Sequence, residues 1–83
     1  MNRPKEVPII DLRKFDKNKK WLIFYILGCN NCHDAIKYFE ANGIQFKKYN
    51  VMTVDGLAKA AECNIIEECK QYVPIIIEDK NYI

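Results

Sequence analysis

The sequence predicts a single α/β domain, a central sheet with flanking helices, on three observations. Residues 21–27 are an unbroken apolar, β-rich run, the period changes to 3.6 residues directly after it, and residues 73–77 form a second β-branched run. With 83 residues the chain has room for one domain, since domains typically run to about 100–150 residues and few fold alone below about 40. Hydrophobic residues make up 49% and charged residues 29%, a globular split that excludes disorder and collagen-like composition.

Taken in order, residues 1–20 read as an amino-terminal edge strand and connection. Pro4 and Pro8 flank Val7, with Ile9, Ile10 and Leu12 following, and the polar stretch to Lys20 reads as a solvated loop. Residues 21–83 carry the domain proper. The run Trp21, Leu22, Ile23, Phe24, Tyr25, Ile26, Leu27 ends at Gly28 and reads as a central strand buried on both faces. Next, Cys32, Ala35, Ile36 and Phe39 fall at i, i+3, i+4 and i+7, an amphipathic helix that stops at Asn42 and Gly43. Residues 44–51 alternate as a strand, with a slip at Lys47 and Lys48, so strand, helix and strand predict a parallel crossover.

Thr53 is placed to cap a second helix with Leu57, Ala60 and Ala61 on one face, and Gly56 in its first turn weakens that expectation. Residues 65–72 add a helical turn or two. Residues 73–77 are a strand with Pro74 near its start, residues 78–81 a turn, and Tyr82 and Ile83 the beginning of a fourth strand.

Thirteen Lys and Arg against eleven Asp and Glu give a net charge of +2, too little to argue for nucleic acid. The run Lys17, Lys19, Lys20 reads as solvated, with attraction of an acidic partner as the functional alternative. The amino terminus has no signal-like apolar stretch, and the longest apolar run is far short of the roughly 20 residues of a membrane span. The expectation is a soluble, cytoplasmic protein without a membrane partner. In a reducing compartment four cysteines point to catalytic or metal-binding thiols before a disulfide framework.

The chemistry-bearing motif is Cys29-Asn30-Asn31-Cys32 at the strand-to-helix junction. Unpaired N–H groups and the positive end of the helix dipole stabilise a thiolate there, which lowers a cysteine pKa from about 8.5 toward about 3.5–7.5. Cys32 shares the stripe of Ala35, Ile36 and Phe39 and points inward, and Cys29, in the loop, is reachable. Cys29 is therefore the attacking and Cys32 the resolving thiol of a dithiol that exchanges with substrate disulfides.

Other readings compete. Cys29-Asn30-Asn31-Cys32-His33 also matches the haem-attachment pattern, with Met52 as a notional axial ligand. Cys63 and Cys69 could complete a zinc-binding or structural interaction module with Cys29 and Cys32, although their five-residue gap exceeds the usual spacing of about two to four. The pair could also be plain buried core, or a redox switch without turnover. Cys63 and Cys69 are read as ordinary packed thiols, and His33 as a solvated position with a weaker claim on lowering the thiol pKa.

Tyr25, then Cys29-Asn30-Asn31-Cys32, Ala35, Tyr38 and Phe39, then Gly43, Ile44, Phe46, Tyr49, Asn50 and Val51, and finally Val73 and Pro74 together resemble the glutaredoxin family of the thioredoxin-like fold. The resemblance covers residues 21–83. It implies a thiol-disulfide oxidoreductase with Cys29 and Cys32 catalytic and Val73 and Pro74 substrate-binding, Pro74 being cis and Val73 an open backbone edge. It further implies protein or glutathione disulfides as substrates, glutathione or a reductase as electron donor, and no bound cofactor. Asn30-Asn31 stands where the family has Pro-Tyr or a similar pair, and Tyr25-Ile26-Leu27-Gly28 where many members carry a lysine.

The sequence also lacks the family's carboxy-terminal Gly-Gly turn and final helix, so the fold is expected to be short at that end. One sheet face then needs other cover, from the amino-terminal segment or from a dimer partner. The arsenate reductase and regulator branch of the same fold is the nearest rival, disfavoured because residues 51–73 leave little room for its extra helices.

Overall fold

Strand β2 (Lys20–Tyr25) is the axis of the molecule, with Leu22, Ile23 and Phe24 all buried. The structure is a computed structural model that describes residues 4–6 and 11–80. Among these the chain is an α/β fold with three α-helices and two small sheets. A two-residue strand β1 (Lys5–Glu6) and a 3-10 turn (Leu12–Lys14) precede β2. Helix α1 (Asn30–Ala41), β3 (Gln45–Asn50), α2 (Val54–Glu62), α3 (Ile66–Gln71), β4 (Tyr72–Val73) and β5 (Ile75–Glu78) follow.

The main sheet has the order β3-β2-β5. β3 runs parallel to β2, from Lys20 opposite Gln45 to Tyr25 opposite Asn50, and β5 runs antiparallel, with Ile23 opposite Ile76. β1 and β4 form a separate parallel pair. The slip at Lys47 and Lys48 is in the alternation alone: Ile44 and Phe46 pack on the α1 face and Tyr49 and Val51 on the other, while the register stays continuous over all six pairs. Both lysines are exposed on an edge strand, a position where charge discourages further strand pairing.

The alternation along β2 sorts the core into two clusters. Ile23 packs with Ile36, Phe39 and Ile44 on the α1 face, joined by Leu12, Phe15, Trp21 and Phe46. Leu22 and Phe24 pack with Val51, Ala60, Cys69 and Val73 on the α2–α3 face. Leu12 and Phe15 thus make part of residues 1–20 a piece of the core rather than a connection only. Phe15 meets Trp21 edge-on at 5.0 Å and lies 5.3 Å from Phe39. The described part of the amino-terminal segment supplies cover on the α1 face.

Local signals set the helix ends. Thr53 caps α2, accepting a hydrogen bond from the Gly56 N–H at 3.1 Å while its hydroxyl donates to the Asn50 carbonyl at 2.6 Å. Gly56 is the residue the junction requires: a Cβ there would overlap the Asn50 carbonyl. The expectation that Gly56 weakens this helix overlooked that close approach. α2 ends through Asn64 at φ 60°, and the Ile65 N–H reaches back to Ala60 O at 2.9 Å.

Three expectations for strands change. The amino-terminal strand lies at Lys5–Glu6, residues 7–10 are outside the described residues, and Leu12 opens a 3-10 turn capped by the Asp11 carboxylate. The single strand over 73–77 is two strands, because Pro74 has no N–H to give a ladder; β4 pairs with β1 and β5 with β2. β2 ends at Tyr25, and Leu27 is 70% exposed. The expected fourth strand at Tyr82 and Ile83 is outside the described residues. Among the described residues no helix is long and apolar enough to cross a membrane.

Candidate functional site

The site begins where β2 hands over to α1. Gly28, at φ 81°, makes the left-handed step that a side chain would resist and brings Cys29 to the N-cap of α1. Cys29 has extended backbone angles and its carbonyl accepts the His33 N–H at 3.0 Å, the first bond of the helix. Its sulfur accepts the Cys32 N–H at 3.1 Å. A cap normally provided by a hydroxyl or carboxylate oxygen is here provided by sulfur, and an anionic sulfur makes the stronger acceptor.

The Cys29 and Cys32 sulfurs lie at disulfide distance, with Cα atoms 5.2 Å apart, inside the usual 4.4–6.8 Å window for a bridge, about one helical turn. Both are buried, Cys32 at 1% exposure and Cys29 at 5%. Cys29 alone of the two lines a cavity of about 400 Å³ between α1 and the β2–β3 edge. His33, Lys37 and Lys48 border that cavity, and Glu40 lies at its far end, three turns along α1 from Cys29. The sequence expects Cys29 to be reachable from its loop, whereas here it is buried at 5% exposure and differs from Cys32 in bordering the cavity.

No family model, curated protein or solved structure matches this chain.

The Val73–Pro74 bond is cis, and Val73, fully buried, sits in the same apolar cluster as Cys29 and Cys32. The expected open edge at Val73 is not what the structure has. Glu6 pairs with Val73 and Lys5 with Tyr72, so this chain's own amino-terminal segment fills that edge. The Glu6 carboxylate also reaches α1 and accepts the Asn31 N–H at 2.5 Å. The sequence reading gave the first residues of the chain only the part of an edge strand and so missed Glu6. No local signal marks it, because the contact joins residues 25 positions apart.

The other two cysteines lie at the helices on the opposite face. Cys63 is the C-cap of α2 and half-buried, Cys69 is in α3 and buried, and both pack in or against the cluster that holds Cys29 and Cys32. Yet among the described residues no three His, Cys, Asp or Glu side chains are grouped as metal ligands. Burial pushes the Cys63 thiol up, and burial with the nearby Glu68 charge pushes Cys69 up to about 11. Both are held as neutral thiols at neutral pH. Met52, needed by the haem reading, is on the exposed turn between β3 and α2. His33 is exposed, as its place on the polar face of α1 implies.

Proposed function

We propose that the chain is a thiol-disulfide oxidoreductase of thioredoxin-like, glutaredoxin-like fold, with Cys29 as nucleophile and Cys32 as resolving thiol. The observation that carries the reading is the sulfur pair at disulfide distance on the first turn of α1, with the Cys29 sulfur bonded to a helix N–H. The β2-α1-β3 unit, the antiparallel β5 and the cis Val73–Pro74 bond beside the pair agree with the sequence resemblance.

In the reductive direction the Cys29 thiolate attacks one sulfur of a substrate disulfide. A Cys29–substrate bond forms, the substrate S–S bond breaks, and the other substrate sulfur leaves as a thiolate. Cys32 then loses its proton, attacks the Cys29 sulfur and expels the second substrate thiolate, leaving the Cys29–Cys32 disulfide. Two electrons pass to the substrate, and its two sulfurs take up two protons. A low-molecular-weight thiol such as glutathione, or a dithiol reductase, returns the two electrons.

Trapping tests the assignment. Reduced Cys32→Ser protein should accumulate a mixed disulfide at Cys29 with a disulfide substrate, and Cys29→Ser should accumulate none and lose turnover. Turnover retained by Cys29→Ser would remove the reading.

A further inference from the structure

Two acceptors share the start of α1. The Cys29 sulfur accepts the Cys32 N–H at 3.1 Å, and the Glu6 carboxylate accepts the Asn31 N–H at 2.5 Å. These are consecutive amides, which puts the two groups closer than the distance of about 8 Å over which physiological salt screens a charge. α1 has no acidic residue in its own first turn. The carboxylate comes instead from β1, where the pairing of Lys5 with Tyr72 and Glu6 with Val73 sets its place. The helix dipole and the first N–H groups favour a thiolate at Cys29, and a carboxylate already seated there opposes it.

We propose that Glu6 is a positioning residue of the dithiol, whose carboxylate on the Asn31 N–H opposes the Cys29 thiolate and makes the pair a stronger reductant than the helix start alone would leave it. The inference rests on the oxidoreductase reading and sets the direction in which that site works. Reduction of the Cys29–Cys32 disulfide takes two electrons and two protons to give two thiols, or one proton where Cys29 stays a thiolate. A charge that destabilises the thiolate raises the free energy of the reduced pair and leaves the neutral disulfide as it was. The reduced pair then gives its two electrons to a substrate disulfide more readily.

Other groups face Cys29. His33 and Lys37 of α1, Tyr25 of β2 and Lys48 of β3 border the same cavity, with Glu40 at its far end. Cys63 and Cys69 adjoin the shared cluster as neutral thiols, and Lys5 precedes Glu6 on β1. All of them remain when residue 6 alone is changed, so their fields cancel in a comparison of the native chain with Glu6→Gln. That substitution keeps an acceptor for the Asn31 N–H and removes the charge.

The test is the pH dependence of Cys29 alkylation in the reduced full-length chain, located by peptide mass spectrometry, with the redox midpoint in glutathione buffers beside it. Glu6→Gln should ionise Cys29 at about tenfold higher proton concentration than the native chain. Above the alkylation midpoints of both proteins it should raise the redox midpoint by about 30 mV, the same tenfold in a two-electron couple. Glu6→Asp, which restores the charge, should return both readouts toward native. Going from about 0.1 M to about 1 M salt should shrink the difference between native and Glu6→Gln, because the screening length falls from about 10 Å to about 3 Å. A contact that served structure alone would move neither readout in this salt-dependent way. Should Glu6→Gln not fold, Glu6→Ala should move both readouts in the same direction.

Equal ionisation of Cys29 with and without the Glu6 charge, or a lower redox midpoint in the uncharged variant, would overturn the proposal. A shift of Cys29 ionisation as stated, in a protein that turns over no disulfide, would uphold the charge effect and remove the oxidoreductase reading alone. Turnover by a protein whose Cys29 ionisation is unmoved by these substitutions would remove this inference alone.

Discussion

Gly56→Ala sets two effects of opposite sign against each other, and the structure decides between them. In a helix interior alanine is better than glycine by about 0.8–1.0 kcal/mol, so propensity alone forecasts a more stable protein. At this position the added Cβ would overlap the Asn50 carbonyl and lie 3.1 Å from the Val51 nitrogen. Those are backbone atoms at the end of a paired strand, so α2 must move instead. Forcing extra carbon into a packed site costs about 1–3 kcal/mol. Moving α2 also disturbs the Thr53 cap, whose hydroxyl joins Gly56 N–H to Asn50 O, a further loss of about 1 kcal/mol. After the propensity gain the net loss is about 1–3 kcal/mol. Urea unfolding measures it: with a slope near 1 kcal/mol/M for so small a domain, the midpoint should fall by about 1–3 M. An unchanged or higher midpoint for Gly56→Ala would show that α2 does not lie against Asn50 as described.

Further outcomes follow from the same contacts. Thr53→Ala should cost about 1 kcal/mol in the same urea assay, and a loss below a few tenths would mean that the cap contributes nothing. Phe15→Ala should cost about 2 kcal/mol, roughly half the loss for a fully buried phenylalanine, because the ring is half-buried against Trp21 and Phe39. A change within about 0.5 kcal/mol would return residues 11–20 to the status of a solvated connection. Cys69, pushed up to about 11 from a reference of 9.0, should be alkylated last of the four thiols in reduced native protein at pH 8. Because folding favours its neutral form, its contribution to stability is full below pH 9 and is lost as pH rises through about 11. Cys69→Ala should flatten that alkaline decline, and an unaltered pH profile would contradict the assignment.

Much of this was legible in the sequence because it is local. The buried centre of β2, the stripe Cys32, Ala35, Ile36 and Phe39, and the Thr53 cap each lie within a few residues and occur as their patterns imply, although β2 itself stops at Tyr25, short of the end of its apolar run. The placement of Cys29 and Cys32 at a helix start was legible for the same reason. What sequence could not supply was contact between distant segments. Gly56 looks like a weakness until Asn50 is seen against it, and residues 4–6 look inert until they lie along β4. The break at Pro74 belongs with these, since a proline near a strand start is compatible with one strand until its two halves are seen to pair with different neighbours.

The central claim is that Cys29 and Cys32 are a working dithiol, and a redox titration of metal-free protein tests it most directly. The protein is equilibrated in glutathione or dithiothreitol buffers, alkylated at each potential and mapped by peptide mass spectrometry. The account predicts one reversible two-electron couple located on Cys29 and Cys32, with a midpoint between about −270 and −180 mV, and Cys63 and Cys69 reduced throughout. A Cys29–Cys32 pair that stays reduced at every potential, or a couple located on Cys63 and Cys69 instead, would contradict it.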